Sequence, residues 1–217
     1  MTELFPDVIE TERLRLERLC RTNVDVFEYY RVCSSDPGIE EVTEYLLWSS
    51  HDSPDVSVEF LERCEKNWEN REGVDYLVRP KEPHPDVRPR AVPDDEYGPF
   101  AGQTGLHLDW DRQLGTLGLW LRKAFWGRRY SGERAAALFA LAFDRLDLDV
   151  VSVSHDPGND KSRPAIEKYV DRFGGRKEGR LRNFHEDDDG PVDQVRYSVS
   201  QEEFRENRPE DLGVTFS

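Results

Sequence analysis

Residues 119–133 read Leu119-Trp120-Leu121-Arg122-Lys123-Ala124-Phe125-Trp126-Gly127-Arg128-Arg129-Tyr130-Ser131-Gly132-Glu133. An apolar run ends, a short segment sets Gly127 among basic residues, and a helix-forming stretch begins. The pattern predicts a strand, a tight loop and a helix N-terminus. The first N–H groups of a helix lack intrahelical acceptors and lie at its positive dipole end, so such a junction suits an anion. Arg122, Lys123, Arg128 and Arg129 would add positive charge. The same residues also fit a plain β–α turn, with the glycine relieving strain and the arginines in water. The segment alone leaves both readings open.

The order of elements follows by working outward. Ala135, Leu138, Phe139, Ala142 and Leu146 fall at i, i+3, i+4, i+7 and i+11, which predicts a helix over 131–146. Val150 to Ser154 is a β-branched run and reads as a buried strand. A helix follows to about Tyr169, with Pro164 in its first turn, where a missing N–H costs little. Asn159 and Ser162 precede it, three apart. They fit a helix cap, or an amide and a hydroxyl turned toward a ligand. On the other side, 100–109 and 115–122 read as strands joined by a turn at Asp109–Gln113, and Val74–Val78 as another. Ser53-Pro54-Asp55 opens a helix to about Asn70. Residues 39–48 and 22–33 read as shorter helices, the latter capped by Thr22 or Asn23. Residues 8–19 alternate from Arg13 onward and predict one half-buried strand. The last strands fall at about 177–184 and 192–199, around the acidic loop 186–190. The order β-α-α-α-β-β-β-α-β-α-β-β predicts an α/β (α+β) fold with a mixed, mostly antiparallel sheet flanked by helices. Residues 1–204 read as a single domain. Six prolines mark 80–99 as an inserted loop, and 205–217 read as a loose tail.

Composition narrows the possible roles. The 217 residues carry 45 Asp+Glu against 30 Lys+Arg, a formal charge of −15. That balance excludes general affinity for nucleic acid or anionic membrane. Mean hydropathy is low at −0.79, yet aromatics make up 11%, which disordered chains lack. Only six of the 30 basic residues are Lys. Abundant carboxylates with scarce Lys fit adaptation to high salt, where self-repulsion is screened; an acidic surface in an ordinary cytosol is the alternative. The halophilic reading expects unfolding at low ionic strength, and full stability there would remove it. Cys20, Cys33 and Cys64 are odd in number with no CxxC, and read as reduced, helix-buried thiols of a cytoplasmic protein. No metal set is suggested. The N-terminus lacks a signal-peptide pattern and no apolar run reaches about 18 residues, so no membrane span is expected.

Several stretches together resemble the GNAT superfamily of acetyl-CoA-dependent N-acetyltransferases, in its RimJ/RimL-type branch. Residues 9–16 (Ile9-Glu10-Thr11-Glu12-Arg13-Leu14-Arg15-Leu16) resemble the opening "TeRLxLR" strand. Tyr45–Trp48 with Ser53 resembles the first-helix region, and Gly102–Leu108 with Gly118–Leu121 the central hairpin. Residues 126–133 resemble the "WGkGYaTEA" pyrophosphate loop, except that its second glycine is Arg129. Asn159 and Ser162 followed by Ala165-Ile166-Glu167-Lys168 resemble "NxxSxrxxEK". Glu178–Arg182 resembles "EGxLR", and Asp193 with Tyr197-Ser198 the "DxxxYs" of the last strand. The "lGF" after Glu-Lys is replaced by the longer Tyr169–Gly175.

The resemblance implies splayed central strands, about 115–122 and 150–155, with pantetheine between them. Leu119, Trp120 and Leu121 would meet pantetheine through their backbone. Trp126, Gly127, Arg128, Arg129, Tyr130, Ser131 and Gly132 would hold the pyrophosphate of acetyl-CoA, with Asn159 near the thiol end. Ser162 would protonate the leaving thiolate. A base for the amine is sought among His107, Asp109 and His155 by strand position. The implied reaction is direct acetyl transfer to a primary amine, on a protein N-terminus or a small molecule. An acetyl-CoA-binding sensor with lost turnover is the alternative, motivated by Arg129. Monomer and homodimer both stay open.

Overall fold

The computed structural model describes residues 4–82, 84, 87, 98–187 and 190–217. Among the described residues nine strands form one sheet: β1 (Val8–Glu10), β2 (Leu14–Arg18), β3 (Gly73–Pro80), β4 (Gly102–Asp109), β5 (Leu114–Leu121), β6 (Val150–His155), β7 (Arg176–Asp187), β8 (Gly190–Ser200) and β9 (Thr215–Phe216). Their order is β7-β8-β6-β5-β4-β3-β2-β1-β9. Every neighbour pair is antiparallel except β5 with β6. The mixed, mostly antiparallel sheet agrees with the sequence pattern.

The helices are α1 (Val26–Ser35), α2 (Ile39–Thr43), α3 (Pro54–Asn70), α4 (Tyr130–Ala140), α5 (Ser162–Arg172) and α6 (Gln201–Asn207). They cover the sheet on both faces, so β3 is buried along its whole length. One face packs Leu77, Phe100 and Trp120 against α1 and α3 through Tyr29, Cys33, Leu61 and Cys64. The other packs Val74, Tyr76, Leu106, Leu117 and Val153 against α4 and α5. Period-2 alternation assigns the faces. Asp75 and Leu77 point toward α1 and α3, while Val74, Tyr76 and Val78 point away.

Several expectations are corrected. Residues 8–19 form a hairpin rather than one strand, because Thr11 turns the chain: its N–H donates to the Leu14 carbonyl at 2.9 Å and its Oγ1 accepts from the Leu14 N–H at 3.0 Å. The cap of α1 is Asp25, which accepts from the Glu28 N–H at 3.0 Å, and not Thr22 or Asn23. The helix read over 39–48 ends at Thr43. That read over 131–146 is α from Tyr130 to Ala140 and then a π turn, Leu141–Arg145. Cys20 is buried outside any helix. Residues 205–217 are not a loose tail. Ser200 and Glu203 form a capping box that starts α6, Phe204 enters the core, and β9 pairs with β1. Of the Pro-rich segment, 83, 85–86 and 88–97 lie outside the described residues, as do 188–189 of the acidic loop. No helix among the described residues is long and apolar enough to cross a membrane.

Candidate functional site

The sheet opens at its centre. β5 and β6 pair in parallel only from Leu114↔Val150 to Leu117↔Val153. Beyond that point β6 stays with β8 as far as His155↔Val195, and β5 stays with β4 as far as Leu121↔Gly102. Gly118, Leu119, Trp120 and Leu121 therefore have a strand on one side and none on the other. Edge backbone of this kind offers unpaired N–H and C=O groups to an extended ligand. The Trp120 side chain turns the other way and is buried in the α1–α3 cluster.

From Leu121 the chain enters the loop before α4. A 3-10 turn, Lys123–Phe125, buries Phe125, and Trp126 Nε1 donates to the Leu121 carbonyl at 2.8 Å. Gly127 has φ 75, and no atom lies within 4 Å of where its Cβ would stand. A glycine there keeps open the space above the helix start. Arg129 takes φ 65 and ψ 17. The left-handed turn a glycine adopts freely is thus made by an arginine, at about 1–2 kcal/mol. The α4 N-terminus has no side-chain cap, and the Ser131 hydroxyl has no hydrogen-bond partner among the described residues. Arg134, 2% exposed, lies over the Tyr169 ring at 5.7 Å and leaves Nε and Nη1 without acceptors among the described residues.

The basic island is narrower than the sequence suggests. Arg122 Nε donates to Asp36 at 3.0 Å and its Nη1 to the Phe100 carbonyl at 2.8 Å. Lys123 is ion-paired with Glu41. Those two charges are neutralised by the α1–α2 segment. Arg128 and Arg129 remain exposed beside the helix start.

Glu133 fixes where α4 begins. One oxygen accepts from Thr11 Oγ1 at 2.6 Å and from the Arg13 N–H at 2.7 Å; the other accepts from Arg13 Nε at 2.7 Å. Arg13 Nη1 also donates to the Arg128 carbonyl at 3.1 Å. The Thr-Glu-Arg turn of the first hairpin and the glutamate of the loop motif are thus two halves of one clamp.

At the second helix start, Asn159 Oδ1 accepts from the Ser162 N–H at 2.9 Å, which is the capping arrangement. Its amide NH2 is left to donate. The Ser162 hydroxyl has no partner among the described residues, and the side chain is half-buried. Lys161 Nζ lies 4.8 Å from the centre of the Trp126 ring, so the two helix starts border the same opening.

The three base candidates separate. Asp109 accepts from the Arg112 N–H at 3.1 Å and caps the β4–β5 turn. His155 is buried on the α5 side, with Nδ1 2.7 Å from the Asp156 carbonyl and Nε2 3.3 Å from Tyr197 Oη. Burial, and then Glu167, raise the Tyr197 phenol to about 12. Only His107 faces the cavity beside the opening.

That cavity, of ≈ 300 Å³, lies between the sheet and α1–α3. Its walls include Tyr29, Trp48, Phe60 and Trp120, with Tyr29 stacked on Phe60 at 5.7 Å and Trp48 edge-on to Trp120 at 5.3 Å. Asp75 lines it and is 6% exposed. Gln103 Nε2 donates to Asp75 Oδ1 at 2.9 Å, and Tyr29 Oη donates to Gln103 Oε1 at 2.7 Å. Burial, and then the neighbouring Asp75, push the Cys64 thiol up, so it stays protonated. Sequence reading missed Asp75, Gln103 and Tyr29. The available signal was one acid inside the apolar run Val74–Val78.

A family model described as Acetyltransferase (GNAT) domain matches residues 13–169. No curated protein matches significantly. Among solved structures, Mycobacterium smegmatis RimJ in complex with CoA-disulfide aligns with TM-score 0.73 and 14% identity, over 98% of this chain and 94% of that one. A GCN5-related N-acetyltransferase from Brucella melitensis aligns with TM-score 0.73 and 18% identity, over 94% and 83%. The microcin C7 self-immunity acetyltransferase MccE, in complex with acetyl-CoA and AMP, gives TM-score 0.73 and 17% identity, over 91% and 98%. At these identities the likeness is one of fold.

Proposed function

This chain belongs to the acetyltransferase (GNAT) family, and from that membership we propose that it moves an acetyl group from acetyl-CoA to a primary amine by direct attack, as a RimJ/RimL-type enzyme. The observation that carries the reading is the parting of β5 from β6 after Leu117↔Val153, on the strand whose connection leads into an uncapped α4 N-terminus. An edge for an extended chain and donors for a diphosphate lie end to end, which fits the two parts of the cofactor.

When bound, acetyl-CoA supplies an activated acyl group on a good leaving thiolate. The residues supply the rest. Gly127, Arg128, Arg129, Tyr130, Ser131 and Gly132 hold the diphosphate through helix-start N–H groups and charge, with Trp126 fixing the loop to β5. Gly118 to Leu121 pair with the pantetheine and direct N–H groups at the acyl oxygen, where charge develops. Asn159 donates its free amide NH2 near the thiol end. Ser162, held in place through its own N–H, offers its hydroxyl proton to the leaving sulfur. Three reduced cysteines support a cytoplasmic setting, and the −15 charge supports adaptation to high salt.

Calorimetry with acetyl-CoA and a free-thiol release assay over an amine panel test the reading. Binding with thiol release is expected. The S162A variant should keep acetyl-CoA affinity within about twofold while kcat falls by about 100-fold, the usual scale for a lost proton donor. Absence of binding would refute the proposal. Binding without thiol release would favour the sensor reading, which the exchange of glycine for Arg129 motivates.

A further inference from the structure

We propose that Asp75 selects the acceptor: its carboxylate receives the ammonium of a primary amine carried on a compact apolar body, and it disfavours amines with a carboxylate on the neighbouring carbon. This deepens the acetyl-transfer reading and rests on it.

The placement comes from strand register. Asp75 lies opposite Gly105 on β4, and Gly105 opposite Gly118 on β5. Cross-strand partners share a face, so the row Asp75–Gly105–Gly118 has a side chain only at its far end. It spans two strand spacings, about 10 Å, and ends where β5 parts from β6. A Cβ on Gly105 would stand 2.7 Å from Asp75 Oδ1, while one on Gly118 would meet nothing within 4 Å. The two glycines leave a trough from the opening to the carboxylate. Glycine in a strand interior marks such a close approach.

The charge points to the occupant. Asp75 is buried, and among the described residues its partners are the neutral groups of Gln103 and Cys64. Among the described residues no lysine or arginine is ion-paired with it. Arg63, which also lines the cavity, is exposed and lies over the Phe60 ring at 5.0 Å. The imidazole of His51 is held toward its neutral form by burial and then by Arg63. A buried carboxylate without a cation is costly, so the missing cation belongs to the ligand. The aromatic walls favour an ammonium and an apolar group. A free amino acid would bring a second carboxylate against Asp75; an amide or a plain amine would not.

The chemistry balances with water as first proton acceptor. The ammonium that Asp75 holds gives one proton to water, and the carboxylate stays charged. The freed electron pair forms the C–N bond at the acetyl carbonyl carbon, and the C–S bond breaks. The sulfur takes the Ser162 hydroxyl proton, which is replaced by the proton the new amide nitrogen loses.

The test compares L-phenylalaninamide, 2-phenylethylamine and L-phenylalanine as acceptors at saturating acetyl-CoA, with acetyl-CoA affinity measured separately. The two carboxylate-free amines should exceed phenylalanine in kcat/KM by about 30-fold or more, the scale of a mispaired buried charge. D75N should raise their KM by about 30-fold, narrow the preference over phenylalanine to below about fivefold, and leave acetyl-CoA affinity within twofold. If D75N does not fold, D75E serves instead. It keeps the charge but lengthens the stem that carries it, so KM for both amines should rise at least about tenfold while the preference over phenylalanine stays. Absence of acetyl-CoA binding would bring down the underlying reading. Intact acetyl-CoA binding with equal use of phenylalanine, no turnover of any probe, or an unchanged KM in the variant would overturn the role of Asp75 alone.

Discussion

Ser131→Asp is expected to abolish cofactor binding while leaving the fold as stable as before, or slightly more so. Ser131 is the second residue of α4, half-buried, and nothing in the described structure bonds to its hydroxyl. Aspartate there faces the positive end of the helix, which favours the helix by about 0.5 kcal/mol. It also puts a negative charge where the diphosphate is to sit. Two like charges about 5 Å apart repel by about 3 kcal/mol at an effective dielectric of about 20. Acetyl-CoA affinity should therefore fall by at least about 100-fold, about 2.7 kcal/mol, and part of the loss should return in high salt. The opposite signs make the result diagnostic. A plain β–α turn with solvated arginines would gain the stability and lose no binding. Thermal unfolding and calorimetry on the same sample separate the two.

Glu133→Ala is expected to cost both stability and affinity. Its carboxylate accepts from Thr11 Oγ1, the Arg13 N–H and Arg13 Nε, and its side chain is only 16% exposed. The Arg13 side chain is 39% exposed, so the ion pair alone adds little. The larger part is the loss of a charged acceptor for the hydroxyl and backbone N–H, and the total should be about 2 kcal/mol. The clamp also fixes α4 and, through Arg13 Nη1, the Arg128 carbonyl of the loop. A loop freed by E133A should bind acetyl-CoA about tenfold more weakly, since it must be ordered on binding. E133Q keeps one acceptor oxygen and should recover part of both effects. Destabilisation with unchanged affinity would make the clamp purely structural.

The parts of the molecule with local signals were legible in the sequence. Pro54 at a helix start, the 3.6-residue period of α4 and the β-branched run of β6 each carry their own pattern. The strand–loop–helix junction at 119–133 was legible for the same reason. What was not legible depends on partners far along the chain. Glu133 reads as the end of the loop motif; only packing brings it to Thr11, 122 positions away. Arg122 and Lys123 read as free charges until Asp36 and Glu41 reach them. Asp75 carries meaning only through register, which aligns it with two glycines on two other strands. The C-terminal misreading differs in kind. Ser200-x-x-Glu203 is a capping-box signal present in the sequence, whereas the pairing of β9 with β1 joins the two ends of the chain and has no local pattern. The turn at Thr11 was hidden because Thr11-Glu12-Arg13 carries no Gly, Pro, Asn or Asp to signal it.

The central claim is that acetyl-CoA lies in the opening between β5 and β6 with its diphosphate on the start of α4. A crystal structure of the complex tests it most directly. The diphosphate is predicted within hydrogen-bond distance of N–H groups in the span Gly127–Gly132, and the pantetheine alongside Gly118–Leu121, its thiol end near Asn159 and Ser162. A diphosphate bound elsewhere, with β5 and β6 empty between them, would contradict the account.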